Sequence, residues 1–239
     1  MTNLIIHRGL TSKSIKENTY LSISKALNHK YSKGAEFDVH LTKDNKIVVI
    51  HDHNINRTSN GTGLVEKLTL NELNQYNYGT KSFPQSIPTL KQILDITTNK
   101  ILLIELKCYY NEKKFAYYLN ELLMNYPESK NIYVMSFNKR IINYLNKLNS
   151  RIKLGYLIYL RKNINYNKFY NFILVELMNQ KIADKIIKTK KEVFFYHINE
   201  KRDITKVKSL FPESYHSKLF FISDRIDFIW IASFLVSLT

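Results

Sequence analysis

Glu36-Phe37-Asp38-Val39-His40-Leu41-Thr42-Lys43-Asp44-Asn45-Lys46-Ile47-Val48-Val49-Ile50-His51-Asp52 is the stretch around which the rest of the chain is organised. In extended backbone Glu36 and Asp38 point to one face, and Phe37 and Val39 to the other. Lys43-Asp44-Asn45-Lys46 has turn chemistry, and residues 47–50 form an apolar, β-branched run able to return antiparallel. That return carries His51 back toward the two acids. Two carboxylates and a histidine so placed suit a hard metal ion with an acid/base group beside it. The same residues also fit an exposed strand edge with solvated charges, and periodicity alone does not choose between the two.

Outward from this stretch the pattern alternates. Leu4-Ile5-Ile6-His7 reads as a buried strand whose end opens on a site. A helix is expected over residues 17–30, with Tyr20, Ile23, Leu27 and Tyr31 on one face and Gly34 stopping it. Residues 52–88, holding Asn60-Gly61-Thr62-Gly63 and two prolines, read as an insertion with little regular structure. Thr89 and Gln92 have the spacing of a capping box, with Leu90, Ile93 and Leu94 on the buried side.

Residues 101–107 are nearly continuous in apolar side chains, as in a parallel strand covered on both faces. Glu105 sits on that strand, and a carboxylate in such a setting is costly unless paired or metal-bound. Helices are expected near 113–126, 139–148 and 180–188, and strands near 132–135, 153–158, 172–176, 193–198 and 219–223. The expected class is therefore α/β, a closed (β/α)8 TIM-type barrel with a small insertion after the second strand. An open doubly wound sheet fits less well, because no Gly-rich phosphate fingerprint follows the first strand.

The 239 residues, 44% of them hydrophobic, are read as one barrel domain over 1–239, since α/β barrels commonly run to roughly 200–250 residues. The single cysteine, Cys108, forms no internal disulfide, is too little for a thiolate metal cage, and reads as packing rather than as a nucleophile. Residues 1–6 are too short for a secretory signal, so the expected compartment is the reducing cytoplasm. The apolar run 228–238 is too short to span a bilayer and fits a packing tail or a shallow interfacial anchor.

The net charge of +16 would draw the protein weakly toward anionic membranes or phosphorylated small molecules. Lysine outnumbers arginine 29 to 7 and asparagine reaches 25, so a compositional bias gives the same charge with no partner implied. No clustered basic helix or stacking motif accompanies it, and nucleic acid is not an expected partner. Oligomeric state is not legible at this level.

His7-Arg8-Gly9, Glu17-Asn18-Thr19, Glu36 through Asp44, His51-Asp52 with Arg57-Thr58 and Gly61-Thr62-Gly63, Pro88-Thr89-Leu90 and Ile104-Glu105-Leu106-Lys107 occur in this order. Together they resemble the glycerophosphodiester phosphodiesterase family, closely over residues 4–107 and loosely beyond. Ser136-Phe137 matches a later motif. Tyr196-His197-Ile198-Asn199 stands where the family has Trp-Thr-Val-Asn, and Ser223-Asp224 stands for a final Thr-Asp.

The resemblance implies a (β/α) barrel in which Glu36, Asp38 and Glu105 hold a divalent cation, His7 and His51 act as base and acid, and Arg8 and Lys107 contact phosphate. Three carboxylates with no thiolate favour Mg²⁺ or Ca²⁺ over zinc. The implied reaction is metal-dependent hydrolysis of a small glycerophosphodiester to an alcohol and glycerol 3-phosphate. Two alternatives stand beside it: a lysophospholipase D acting on lipids, and a degenerate barrel that only binds phosphodiesters or anionic surfaces. Glu17, His40 and Asp52 fit the motifs as supporting or capping groups.

Overall fold

In the computed structural model, residues 2–96, 98–126, 131–149, 151–164 and 168–226 are described. The apolar run 228–238 lies outside them. Among the described residues nine strands are found: β1 (Asn3–Ile6), β2 (Ser32–Leu41), β3 (Ile47–Val49), β4 (Ile101–Leu106), β5 (Ile132–Ser136), β6 (Lys153–Ile158), β7 (Tyr170–Leu174), β8 (Val193–Tyr196) and β9 (Leu219–Ser223). All except β3 run parallel, in the order β1-β9-β8-β7-β6-β5-β4-β2, and a β1–β2 pairing closes the ring. The expected closed eight-stranded barrel is therefore the observed one.

Alternation along each strand sorts the apolar residues into two layers. Ile5, Leu103, Tyr133, Met135, Phe172, Phe194, Phe220 and Ile222 point inward and fill the barrel. Phe194 is stacked between Phe172 and Phe220, with ring centroids 4.6 and 5.0 Å away. The intervening residues, among them Leu4, Ile6, Phe37, Val39, Leu102 and Ile104, face outward under the helices. Gly34 is required where β2 squeezes against β4: a Cβ there would lie 2.1 Å from the Ile101 carbonyl oxygen.

Seven helices are described: α1 (Tyr20–Asn28), α2 (Leu70–Leu73), α3 (Leu90–Leu94), α4 (Glu112–Met124), α5 (Lys139–Leu148), α6 (Gln180–Thr189) and α7 (Lys201–Ser209). α1 begins three residues later than expected because Thr19 caps it and Asn18 takes a left-handed turn (φ 53°). The Thr89–Gln92 capping box forms at α3, burying Leu90, Ile93 and Leu94. Sequence periodicity misses α7, whose buried apolar residues are only Ile204 and Val207. Between β6 and β7 the described residues contain only a short 3₁₀ turn, Arg161–Asn163. β7 also starts and ends two residues earlier than its apolar run suggests, since the chain turns into 3₁₀ geometry at Val175.

β2 outruns the barrel. Its first half pairs with β1, its middle with β4, and its last residues, Val39–Leu41, pair antiparallel with β3. The segment after β3 is irregular but has a core of its own, built from Val48, Ile50, Ile55, Val65, Leu73, Tyr78 and Ile87. Among the described residues no helix is long and apolar enough to cross a membrane.

Packing inside the ring carries the fold, so Phe194→Ala should cost roughly 3–5 kcal/mol. The exposed Tyr117→Ala should change stability by less than about 0.5 kcal/mol. Thermal unfolding of the two variants against wild type checks the contrast.

Candidate active site

The inward rows of β2 and β4 end in acids instead of apolar residues. Register pairs Asp38 with Glu105 and Glu36 with Leu103, so Glu36, Asp38 and Glu105 meet at the C-terminal end of the barrel. All three are buried, and one carboxylate oxygen from each lies within 4.8 Å of the others. Glu36 Oε1 is buried without a hydrogen-bond partner.

Cations and donors surround the cluster but leave Glu36 Oε1 unsatisfied. Lys107 Nζ lies 3.2 Å from Asp38 Oδ1 and 2.5 Å from Glu105 Oε1, as charge contacts. Arg8 Nε lies 3.4 Å from Asp38 Oδ2, while the Arg8 amide donates to Glu36 Oε2 at 3.0 Å. Asn18 grips Asp38 twice: its Nδ2 donates to Oδ2 at 2.8 Å and its Oδ1 accepts from the Asp38 amide at 3.2 Å. Such a buried set of hard oxygen donors, with Glu36 Oε1 unpartnered and a single lysine shared by the other two carboxylates, fits a divalent cation.

The cluster resists full ionisation. Burial, then repulsion from Asp38 and Glu105, raises the pKa of Glu36 well above the carboxylate range. Burial, then Asp38, raises Glu105 to about 7. Burial also acts to raise Asp38, but Lys107, His51, Arg8 and the Asn18 hydrogen bond outweigh it and hold that group low.

Two histidines flank the acids, each seated on an aspartate. His7 follows β1, and its Nδ1 donates to Asp224, which follows β9, at 2.6 Å; its Nε2 lies 3.7 Å from Glu36 Oε2. Hydrogen bonding to His7, opposed by burial, brings Asp224 down to about 2. His51 follows β3, and its Nδ1 donates to Asp52 at 2.7 Å. Burial lowers the pKa of His51, against the opposing pull of Asp38 and Asp52.

The Arg57 fork holds Asp52 through Nε (2.7 Å) and Nη2 (3.0 Å) and reaches Glu17 Oε1 at 2.7 Å. Glu17 in turn accepts from Arg8 Nη1 at 3.1 Å. Gly9 makes the turn after Arg8 with φ +80°, where a Cβ would lie 2.6 Å from Ser22.

The structure thus brings His7, Arg8, Glu36, Asp38, His51, Glu105 and Lys107 into one site. Glu17 and Asp52 belong to its supporting network, and His40 Nε2 donates to the His51 carbonyl oxygen at 3.1 Å. Sequence reasoning gave no role to Asn18, although it lies inside a quoted motif, nor to Arg57. Asp224 was noted only as a motif end; its partnership with His7 spans 217 residues and no local spacing signals it. His197, where the family pattern differs, packs its ring 4.6 Å from that of His7.

Residues 7–206 match the model of the glycerophosphoryl diester phosphodiesterase family. A glycerophosphodiester phosphodiesterase of Caldanaerobacter subterraneus is 31% identical over 166 residues, 65% of this chain and 66% of that one. The Bacillus subtilis relative YhdW is 30% identical over 223 residues, 87% of this chain and 90% of that one. An Oleispira antarctica phosphodiesterase, solved with the product sn-glycerol-3-phosphate, superposes with a TM-score of 0.79 at 25% identity, covering 93% of this chain and 92% of that one. An Agrobacterium tumefaciens glycerophosphodiester phosphodiesterase shares the fold, with a TM-score of 0.77 at 20% identity over 95% of this chain and 99% of that one.

A cation held by this cluster would compete with protons for Glu36 and Glu105, so divalent-ion affinity should rise with pH through about 7, where Glu105 gives up its proton. Calorimetric titration of chelator-stripped protein with Mg²⁺ or Ca²⁺ at pH 6 and pH 8 measures this. Glu36→Gln should abolish the binding heat.

Proposed function

The chain belongs to the glycerophosphoryl diester phosphodiesterase family, and from that premise we propose how its residues hydrolyse a glycerophosphodiester to an alcohol and glycerol 3-phosphate. The observation that carries the reading is the buried trio of carboxylates, compensated only in part by Lys107 and Arg8 and flanked by two histidine–aspartate pairs. Glu36, Asp38 and Glu105 would hold Mg²⁺ or Ca²⁺, which when bound offsets negative charge on the phosphodiester oxygens. Arg8 and Lys107 add fixed positive charge at the same end of the barrel, where charge grows as the phosphorus centre becomes five-coordinate.

The histidines divide the proton work. Asp52 accepts the hydrogen bond from the Nδ1–H of His51 and leaves Nε2 as the free lone pair, and burial keeps that ring neutral near pH 7. His51 is then the base that removes a proton from the attacking hydroxyl, whether water or a substrate hydroxyl, which reverses the order of base and acid that the sequence resemblance implies. His7, seated on Asp224 and facing Glu36, donates a proton to the departing alkoxide as its bond to phosphorus breaks. Asp224, Asp52, Arg57 and Glu17 hold these groups in place.

The substrate in this reading is a small molecule, and the working compartment is the cytoplasm, consistent with one unpaired cysteine. A second reading, hydrolysis of a lysolipid, is favoured by Phe137, Tyr159 and Leu160, which are exposed just beyond β5 and β6 at the barrel mouth. Preference for micellar lysophosphatidylcholine over glycerophosphocholine would select it.

Purified protein supplied with Mg²⁺ or Ca²⁺ should release glycerol 3-phosphate from glycerophosphocholine, and EDTA should stop it. His51→Ala and His7→Ala should each lower kcat by roughly 10²- to 10⁴-fold with the fold intact by circular dichroism. Full turnover in either variant would refute the assigned roles.

A further inference from the structure

Three strand ends meet at His7. Its backbone amide donates to the Ser223 carbonyl oxygen of β9 at 2.9 Å. The chain leaving β8 is tied to the same strand, where the Ile198 amide donates to the Ile222 carbonyl oxygen at 2.9 Å. That tie delivers two side chains to the His7–Asp224 pair. Asn199 Nδ2 donates to Asp224 Oδ2 at 3.1 Å, and His197 sets its ring edge-on to the His7 ring, with centroids 4.6 Å apart and planes at 68°. His197 also meets the Tyr196 ring at 5.4 Å. Among the described residues the His197 ring makes no hydrogen bond or ion pair, so ring contact is what it contributes.

The two histidine–aspartate pairs are not equally anchored. The Asp52 side chain is 23% exposed and gripped by two nitrogens of the Arg57 fork. The Asp224 side chain is 51% exposed and is gripped by the neutral amide of Asn199. A single hydrogen bond from Nδ1 leaves the His7 ring free to swing about that contact, and Nε2, across the ring, moves furthest. Nε2 is the atom that lies 3.7 Å from Glu36 Oε2 and, in the hydrolysis reading, meets the departing oxygen. A second ring packed against His7 restricts the swing. Burial first, then His7 itself, lower the pKa of His197 against the pull of Asp224, so the packed ring is neutral beside the group that carries the proton.

We propose that His197 is a positioning residue for the acid step: its ring pins His7 so that Nε2 stays aimed at the oxygen of the departing alkoxide. The inference rests on the diester-hydrolysis reading with His7 as the acid. The family pattern has threonine at this position, and threonine has no ring to meet His7, so the restraint belongs to this chain. An aimed acid matters only where the leaving oxygen needs a proton. Choline departs as a strongly basic alkoxide, whereas p-nitrophenolate departs without help.

The test compares kcat for glycerophosphocholine with kcat for the p-nitrophenyl ester of glycerol 3-phosphate, with Mg²⁺ or Ca²⁺ present. His197→Ala should lower kcat on the choline diester by roughly 10-fold with KM little changed, and move the p-nitrophenyl diester by less than about 2-fold. His197→Phe, which keeps a ring against His7, should recover most of the loss. His7→Ala, run alongside, should show the same preference for the p-nitrophenyl diester in stronger form. The positioning role is overturned if His197→Ala leaves the choline diester at the wild-type rate, if it slows both diesters alike, or if His197→Phe is no better than His197→Ala. If His7→Ala itself slows both diesters alike, the assignment of His7 as the acid falls. Hydrolysis of neither diester by wild type overturns the activity reading.

Discussion

Three carboxylates forced together inside a closed ring of strands are the constraint on which the rest of this structure depends. At separations under 5 Å in a poorly solvated setting their mutual repulsion is large. The chain opposes it only in part, with Lys107, Arg8 and the paired amide of Asn18. The imbalance falls unevenly: Asp38, which receives most of the compensation, stays ionised, while Glu36 and Glu105 hold their protons more tightly. A fold selected for stability alone would place apolar side chains at these inward positions, as it does elsewhere in the ring at Leu103 and Phe194.

The two histidine–aspartate pairs meet the same need by different routes. His51 and Asp52 are neighbours in sequence, and their geometry is set by the β2–β3 hairpin and the Arg57 fork. His7 and Asp224 come from the first and last barrel strands, which lie side by side only once the ring has closed. That half of the site therefore cannot form in a partly assembled barrel. The Arg8–Glu17–Arg57–Asp52 chain of ion pairs links the two halves, so that the loops after β1 and β3 are held by shared charge.

What was legible in sequence was what local chemistry encodes. The face shared by Glu36 and Asp38 followed from strand period, the position of Glu105 from an acid in an apolar run, and the N-terminus of α3 from a capping box. Glu36, Asp38 and Glu105 needed only the register of two strands to be brought together. Asp224 and Asn18 were not assigned because their roles depend on which strands become neighbours and on a left-handed turn before α1. α7 was missed because two buried residues make no visible stripe. The small core of the insertion escaped notice because Ile55, Val65, Leu73 and Ile87 are scattered through a polar segment with no helical or strand period.

The overhang of β2 beyond the barrel has a consequence for how the protein can change over generations. The acids sit on the part of the strand that the ring encloses, while His51 and everything that follows it hang from the projecting tip through β3. A substitution inside the ring alters every neighbour at once. A lengthened or reworded insertion alters only what is suspended from the hairpin. The carboxylate cluster and the insertion are thereby written on parts of the chain that can drift at different rates, one frozen by its neighbours and the other open to revision.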